Sequence, residues 1–374
     1  MKDPNIIEKF RIWQNAYHRI RFFKKMYPLS AIAKDIFLFP YDYALNRRSI
    51  QKVRNVTFAI THKCNIRCEM CYFHKELKNI WVMPLYLYKQ AIDSVKGSHP
   101  CIILSGGEPF THPNLVDMVA YAKKMHLPVQ IFTNGTLVKP EIADALVKLK
   151  LDYIDFTLLG NEKSHSLVAH VPNAYNRFVE NLQYFAKHRG NTQIILNYTI
   201  TPRSLKDIDH AVELVKRFKL DGLRIQHYNF LLKNEFEAQE CLVKGLFGSE
   251  SNTHEIENQD DVSNMAKQIL EIKKQLPEKL TSVPIQWAPT LTALETENWY
   301  STKRFMSQRK CLFPWRGITI DANGKVYPCS KIYLELGNIE NQNIFDVWNS
   351  ERMQKFRLRL KKERFPACSR CCKL

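Results

Sequence analysis

The sequence predicts an α/β fold, a partial (β/α)6 TIM-like barrel with a small C-terminal hairpin-plus-helix cluster domain. Three observations lead there. Short apolar, β-rich runs alternate with amphipathic stretches through residues 53–230, which implies a parallel sheet with right-handed crossovers. Six such units are too few for a closed eight-stranded barrel. From Cys311 the rhythm gives way to a hairpin signal, Asn323-Gly324, and a cysteine-rich end.

The elements follow in order. Val56-Thr-Phe-Ala-Ile60 is β-rich and runs into the first cysteine. Pro84 to Val95 reads as a helix, and Cys101-Ile-Ile-Leu104 as a buried strand ending at Gly106. Leu115 to Met125 is helical, then Val129-Gln-Ile-Phe132 is a strand closed by Thr133-Asn134-Gly135. A helix over Pro140 to Leu149 precedes the strand Tyr153-Ile-Asp-Phe-Thr157. A longer helix, Ala174 to His188, leads to the strand Gln193 to Ile200. The sixth unit is a helix over Leu205 to Phe218 and the strand Gly222-Leu-Arg-Ile-Gln226.

On either side of this core the pattern differs. Residues 1–52 form a basic, amphipathic helical prefix: Ile6, Phe10, Trp13, Tyr17 and Ile20 make one apolar stripe, with Lys and Arg around it. Such a helix either packs on the main domain or lies on an anionic membrane surface through residues 1–30. Residues 231–305 read as a helical connecting segment, with a helix from Val262 to Gln275, and residues 306–374 as the cluster domain.

Composition narrows the class. At 45% hydrophobic and 11% aromatic residues, the 374-residue chain has material for a core, which excludes wholesale disorder. Without an apolar run of membrane-span length or a signal peptide, a cytoplasmic protein is expected, peripheral at the membrane if the prefix binds there. In a reducing compartment ten cysteines point to metal ligation rather than disulfides. Cys101 and Cys241 stand alone and read as small hydrophobes. The net charge of +18 asks for an acidic partner, but no aromatic-basic motif gives a specific nucleic-acid signal.

Cys64-Asn-Ile-Arg-Cys68-Glu-Met-Cys71 concentrates the chemistry. Three thiolates fill three corners of a cubane iron–sulfur cluster and leave the fourth iron free for a small molecule. Zinc with His74 or His62 as fourth ligand is the rival on spacing alone. Ser105-Gly106-Gly107-Glu108-Pro109 ends a buried strand with two residues lacking Cβ, where backbone can approach a ligand closely. Cys311, Cys329, Cys368 and Cys371 supply four more thiols, with Cys372 able to replace Cys371; a structural zinc site is the rival here too.

The three-cysteine motif followed by Tyr72, with the Gly-Gly-Glu-Pro turn, resembles the radical S-adenosylmethionine (SAM) superfamily. The stretch from Cys311 through Asn323-Gly324 to Cys329, with Leu336-Gly-Asn-Ile339 and Ile344 to Ser350 after it, resembles a SPASM or twitch domain. The resemblance implies a SAM-binding 4Fe-4S cluster on Cys64, Cys68 and Cys71, with Tyr72 near the adenine. Gly106, Gly107 and Glu108 would hold the SAM amine, and Thr133, Asn134, Thr157, Asn197 and Gln226 would form the ribose- and methionine-contacting rim. One departure stands out: relatives place an Arg for the SAM carboxylate where this chain has Ala169-His170, which leaves His170 as the nearest basic candidate. Cys311, Cys329, Cys368 and Cys371 would carry an auxiliary 4Fe-4S cluster. The implied activity is reductive SAM cleavage, fed by flavodoxin or ferredoxin, to a 5′-deoxyadenosyl radical that takes hydrogen from an organic substrate. The auxiliary cluster would assist net oxidation of a small-molecule or lipid-linked substrate. The alternative is a maturase of ribosomally made peptides. The non-enzyme alternative is an iron–sulfur electron carrier or a zinc-stapled nucleic-acid-binding protein.

Overall fold

In the computed structural model, which describes residues 43, 50, 52–71, 73, 80–250, 262, 264–279, 283–301, 305 and 310–373, strand and helix alternate as the sequence leads one to expect. The order is β1 (Asn55–Thr61), α1 (Leu85–Val95), β2 (Cys101–Gly106), α2 (Leu115–Lys124), β3 (Val129–Thr133), α3 (Pro140–Lys148) and β4 (Tyr153–Leu158). Then come α4 (Glu162–Ala169), α5 (Ala174–His188), β5 (Gln193–Thr199), α6 (Ile208–Arg217) and β6 (Gly222–Gln226). The rest is α7 (Lys233–Phe247), α8 (Met265–Lys279), β7 (Ile285–Ala288), α9 (Ala293–Trp299), β8 (Gly317–Ile320), β9 (Lys325–Tyr327), β10 (Gly337–Asn338), α10 (Ile344–Trp348) and α11 (Glu351–Lys362). The prefix helix and its membrane contact fall outside the described residues. No helix among the described residues is long and apolar enough to cross a membrane.

One sheet, ordered β10-β9-β8-β1-β2-β3-β4-β5-β6-β7, carries the fold. Its strands run parallel from β8 to β7, while β9 and β10 add antiparallel at the edge. Two strands extend the six that the apolar runs mark. The segment expected to be helical supplies β7, which pairs with β6 from Leu223↔Ile285 onward. At the other edge β8 pairs with β1, Asn55↔Gly317 through Phe58↔Ile320, so the cysteine-rich end joins the sheet of the barrel. The Asn-Gly hairpin forms as its chemistry requires: Gly324 takes φ +80° and Asp321 N donates to Lys325 O at 2.8 Å.

The two faces of the sheet differ in kind. Val56, Phe58, Ile60, Ile102, Leu104, Val129, Ile131, Ile154, Phe156, Ile194, Leu196, Leu223 and Ile225 point to the helices and are 0% exposed. Matching apolar stripes on the helices, such as Leu87, Ala91, Ile92 and Val95 of α1, close over them. Alternation along each strand places Thr57, Ile103, Gln130, Phe132, Asp155, Thr157, Asn197, Arg224 and Gln286 on the opposite, inner face. This face is mostly polar and partly open, which is how a binding cleft differs from a core.

Candidate metal and cofactor site

The loop bearing the first cysteines leaves β1 at Thr61 and is tied down on three sides. Gly107 N donates to Thr61 O and Glu108 N to Lys63 O, both at 2.7 Å. A Cβ at Gly106 or Gly107 would overlap the backbone of Thr61 or Lys63, and Gly106 takes φ +129°, so only glycine lets the two loops lie together. From α4, Ala169 O accepts from Arg67 N at 3.0 Å and Val168 O from Glu69 N at 3.1 Å. From the end of β3, Asn134 Nδ2 donates to Asn65 Oδ1 at 3.0 Å and points at Cys64 Sγ, 3.9 Å away. Asn65 Nδ2 in turn donates to Thr136 Oγ1 at 2.8 Å.

This brings Cys64, Cys68 and Cys71 together. Burial pushes all three thiols up, Cys64 to about 11, and the proximity of Cys64 and Cys71 raises Cys68 further. Buried sulfurs that water does not help to ionise are suited to a cationic cluster, which deprotonates them on binding. Among the described residues no three Cys, His, Asp or Glu converge as the ligands of one metal ion would. In a cubane each thiolate takes its own iron. Of the zinc rival's fourth ligands, His62 turns its Nε2 to Asp321 Oδ1 at 2.7 Å, and His74, like Tyr72, lies outside the described residues.

Glu108 is held from within the chain. Its Oε1 accepts from Thr133 Oγ1 at 2.7 Å and Phe110 N at 3.1 Å, and its Oε2 from Asn134 N at 2.7 Å. Burial holds its pKa up at about 7. The carboxylate braces the ends of β2 and β3. Thr133 and Asn134 join this brace. Thr157, Asn197 and Gln226 do lie on the inner face, Thr157 paired with Asn197 and Gln226 with Thr199. Asn197 is 6% exposed and its Oδ1 meets no donor among the described residues, an unmet acceptor that fits a ligand hydroxyl or amine at the rim. His170 caps α4 with its side chain exposed. Asp155, which belongs to none of the motifs, accepts from Gln130 Nε2 at 2.6 Å and from Arg224 Nη1 at 2.7 Å in the floor of the same face.

The terminal cysteines gather around the hairpin. Cys311 precedes β8, Cys329 follows β9, and Cys368 and Cys371 return after α11. Burial raises Cys368 and Cys311, the latter to about 12, and each is raised further by Cys371 and Cys329. Cys372 is perturbed by Cys371, Lys331 and Lys373 instead, and its hydrogen bond with Cys371 lowers the Cys371 thiol. Cys311, Cys329 and Cys368 each feel the Cys371 thiol, which itself hydrogen-bonds with Cys372. Arg370, between two of them, is fully buried against Glu235 of α7 at 2.9 and 2.7 Å and donates to Trp299 O at 2.6 Å. Ser369 Oγ reaches the same carboxylate at 2.8 Å. Of the lone cysteines, Cys101 is buried and Cys241 is exposed on α7.

Both cysteine-bearing segments match known families. Residues 58–215 match the model of the radical SAM superfamily, and residues 311–372 that of an iron–sulfur cluster-binding domain, SPASM. The chain is 26% identical over 315 residues to an AdoMet-dependent heme synthase of Methanosarcina barkeri, covering 81% of this chain and 84% of that protein. It is 22% identical over 307 residues to the subtilosin biosynthesis protein AlbA of Bacillus subtilis, covering 80% of this chain and 60% of AlbA. In fold it is similar to Streptococcus suis SuiB, solved with S-adenosylmethionine and with the precursor peptide SuiA. The match to the S-adenosylmethionine complex has a TM-score of 0.63 at 13% identity, covering 94% of this chain and 79% of SuiB.

Proposed function

The chain carries a radical SAM domain followed by a SPASM iron–sulfur domain, which makes it a radical SAM enzyme, and from that premise we propose how its residues divide the work. Cys64, Cys68 and Cys71 hold the 4Fe-4S cluster whose open iron takes SAM; Cys311, Cys329, Cys368 and Cys371 hold one auxiliary 4Fe-4S cluster. The observation that carries this is the clamping of the first cysteine loop onto the ends of β2, β3 and α4, beside an inner face that is polar and open. When bound, these groups supply reductive cleavage of SAM to a 5′-deoxyadenosyl radical, driven by flavodoxin or ferredoxin, and a sink for the substrate's electron.

The protein's own residues prepare the ground. Glu108, Thr133 and Asn134 lock the rim, so the cysteine loop keeps one position relative to the barrel. Thr157, Asn197 and Gln226 line the cofactor side of the inner face, with Asn197 Oδ1 ready to accept from SAM. Tyr72 is assigned to the adenine on its motif alone. The apolar helix side of every strand keeps water to the inner face, where the substrate C–H bond must be aligned. Domain limits are proposed at 53–230 for the barrel and 306–374 for the cluster domain, with residues 1–30 as contact to an anionic membrane surface.

The substrate is an organic molecule that undergoes net oxidation or bond formation, small or lipid-linked in the first reading. Likeness to AlbA and SuiB favours a ribosomally made peptide as the second. Cys329→Ala separates the two clusters: the variant should lose about four irons yet still release 5′-deoxyadenosine, while product formation stops. Full iron and unchanged turnover would remove the auxiliary cluster from the account.

A further inference from the structure

A buried charge pair sits in the floor of the inner face with no part in either cysteine site. Asp155 of β4 has no side-chain exposure and Arg224 of β6 retains 13%, with Arg224 Nη1 2.7 Å from Asp155 Oδ1. Gln130 from β3 donates to the other Asp155 oxygen at 2.6 Å, and Arg224 Nε faces Gln286 Oε1 of β7 at 3.4 Å. The guanidinium carbon lies 5.9 Å from the centre of the Phe132 ring. Four strands thus converge on one cation.

Such a pair is poor as a stabilising device, because desolvating two charges offsets most of their attraction and apolar residues of similar volume serve as well. The neighbouring strand positions on the helix side are all apolar, so the barrel has no lack of such residues. The geometry is also asymmetric. A guanidinium has five donors in a planar fork. Asp155 takes Nη1 and Gln286 takes Nε, which leaves Nη2 without an acceptor among the described residues on the side that is not fully enclosed. Asp155 thereby fixes the plane of the guanidinium and aims its remaining edge into the cleft. That edge matches a carboxylate.

We infer that Arg224, oriented by Asp155, recognises a carboxylate group of the substrate and so sets which organic molecules the inner face accepts. This rests on the proposal that the inner face takes the substrate. Arg224 stands in the row Thr157–Asn197–Arg224–Gln286, one inward-facing position below Gln226, so the carboxylate enters deeper than the rim. The substrate is an acid: either a small carboxylic acid or a peptide with a free carboxylate.

The test uses the cluster-loaded full chain, kept anaerobic with and without saturating SAM, treated with phenylglyoxal and mapped by mass spectrometry. Arg224 should be modified, and glutarate or the dipeptide Ala-Glu at millimolar concentration should slow its modification by about tenfold. The corresponding amides should give no protection. Stronger protection by Ala-Glu assigns a peptide, stronger protection by glutarate a small acid. An unreactive Arg224, equal protection by the amides, or protection by SAM alone would overturn the inference. The same samples are assayed for 5′-deoxyadenosine with dithionite. Its formation alongside an unprotected Arg224 removes only the carboxylate site, whereas its absence removes the radical SAM reading itself.

Discussion

His62 and Asp321 join the two cysteine groups through a hydrogen bond of 2.7 Å, with side chains 0% and 2% exposed. His62 lies two residues before Cys64, and Asp321 sits in the hairpin turn between Cys311 and Cys329. Since β8 pairs with β1, this buried contact fixes the start of the first cysteine loop against the cluster domain. Removing one partner of a buried hydrogen bond costs about 1–3 kcal/mol. Asp321→Ala should lower stability by about that amount in urea unfolding. It should also reduce iron at the first site, although Asp321 is no cysteine. Unchanged stability and iron content would mean the contact does not couple the two groups.

The glycine pair gives a second test. At Gly107 a methyl group would meet Lys63 backbone, which cannot rotate away as a side chain can. Gly107→Ala should displace the cysteine loop and cut SAM cleavage roughly a hundredfold, as misplacement of about 1 Å does. Circular dichroism should stay that of the folded protein. Wild-type cleavage in this variant would show that the loop tolerates the shift.

A third prediction concerns pH. His165 is fully buried, with its pKa pulled down to about 4 by burial and by nearby His210. Its Nδ1 accepts from Leu159 N at 3.3 Å and its Nε2 meets no partner among the described residues. With the folded value below the ordinary 6.5, the unfolded chain takes the proton first. This contribution is intact above pH 6.5 and declines as pH falls through the window down to about 4. His165→Phe should match the wild type within about 1 kcal/mol at neutral pH. It should be the more stable protein by roughly 2 kcal/mol at pH 5. Parallel stability profiles for the two proteins would place the proton elsewhere.

The parts that the sequence made legible are those written in local pattern. Strands such as Ile102 to Leu104 and Ile194 to Leu196 announce themselves as apolar runs because both faces are covered or lined. Cys64, Cys68 and Cys71 are close in sequence, so the loop could be read without knowing what holds it. Strand β7 escaped notice because Ile285-Gln-Trp-Ala288 is four half-buried residues, too short for a periodic signal. Nothing local says that β8 will pair with β1, or that Arg370 will meet Glu235 across the chain. The bracing of Glu108 by Thr133 and Asn134 could not be read locally either, because those partners come from another strand. Asp155 and Arg224 did leave a trace. Each is a lone charge at an inward position of an apolar strand, which is costly unless something uses it.

The central claim is that the first three cysteines arm the chain to split SAM. The most direct measurement is 5′-deoxyadenosine formed anaerobically by the iron-reconstituted full chain with dithionite, compared with Cys68→Ala treated identically. The account predicts 5′-deoxyadenosine from the wild type and none from the variant, together with a loss of about four irons. A fully iron-loaded wild type that forms none, or a variant that still forms it, would contradict the claim.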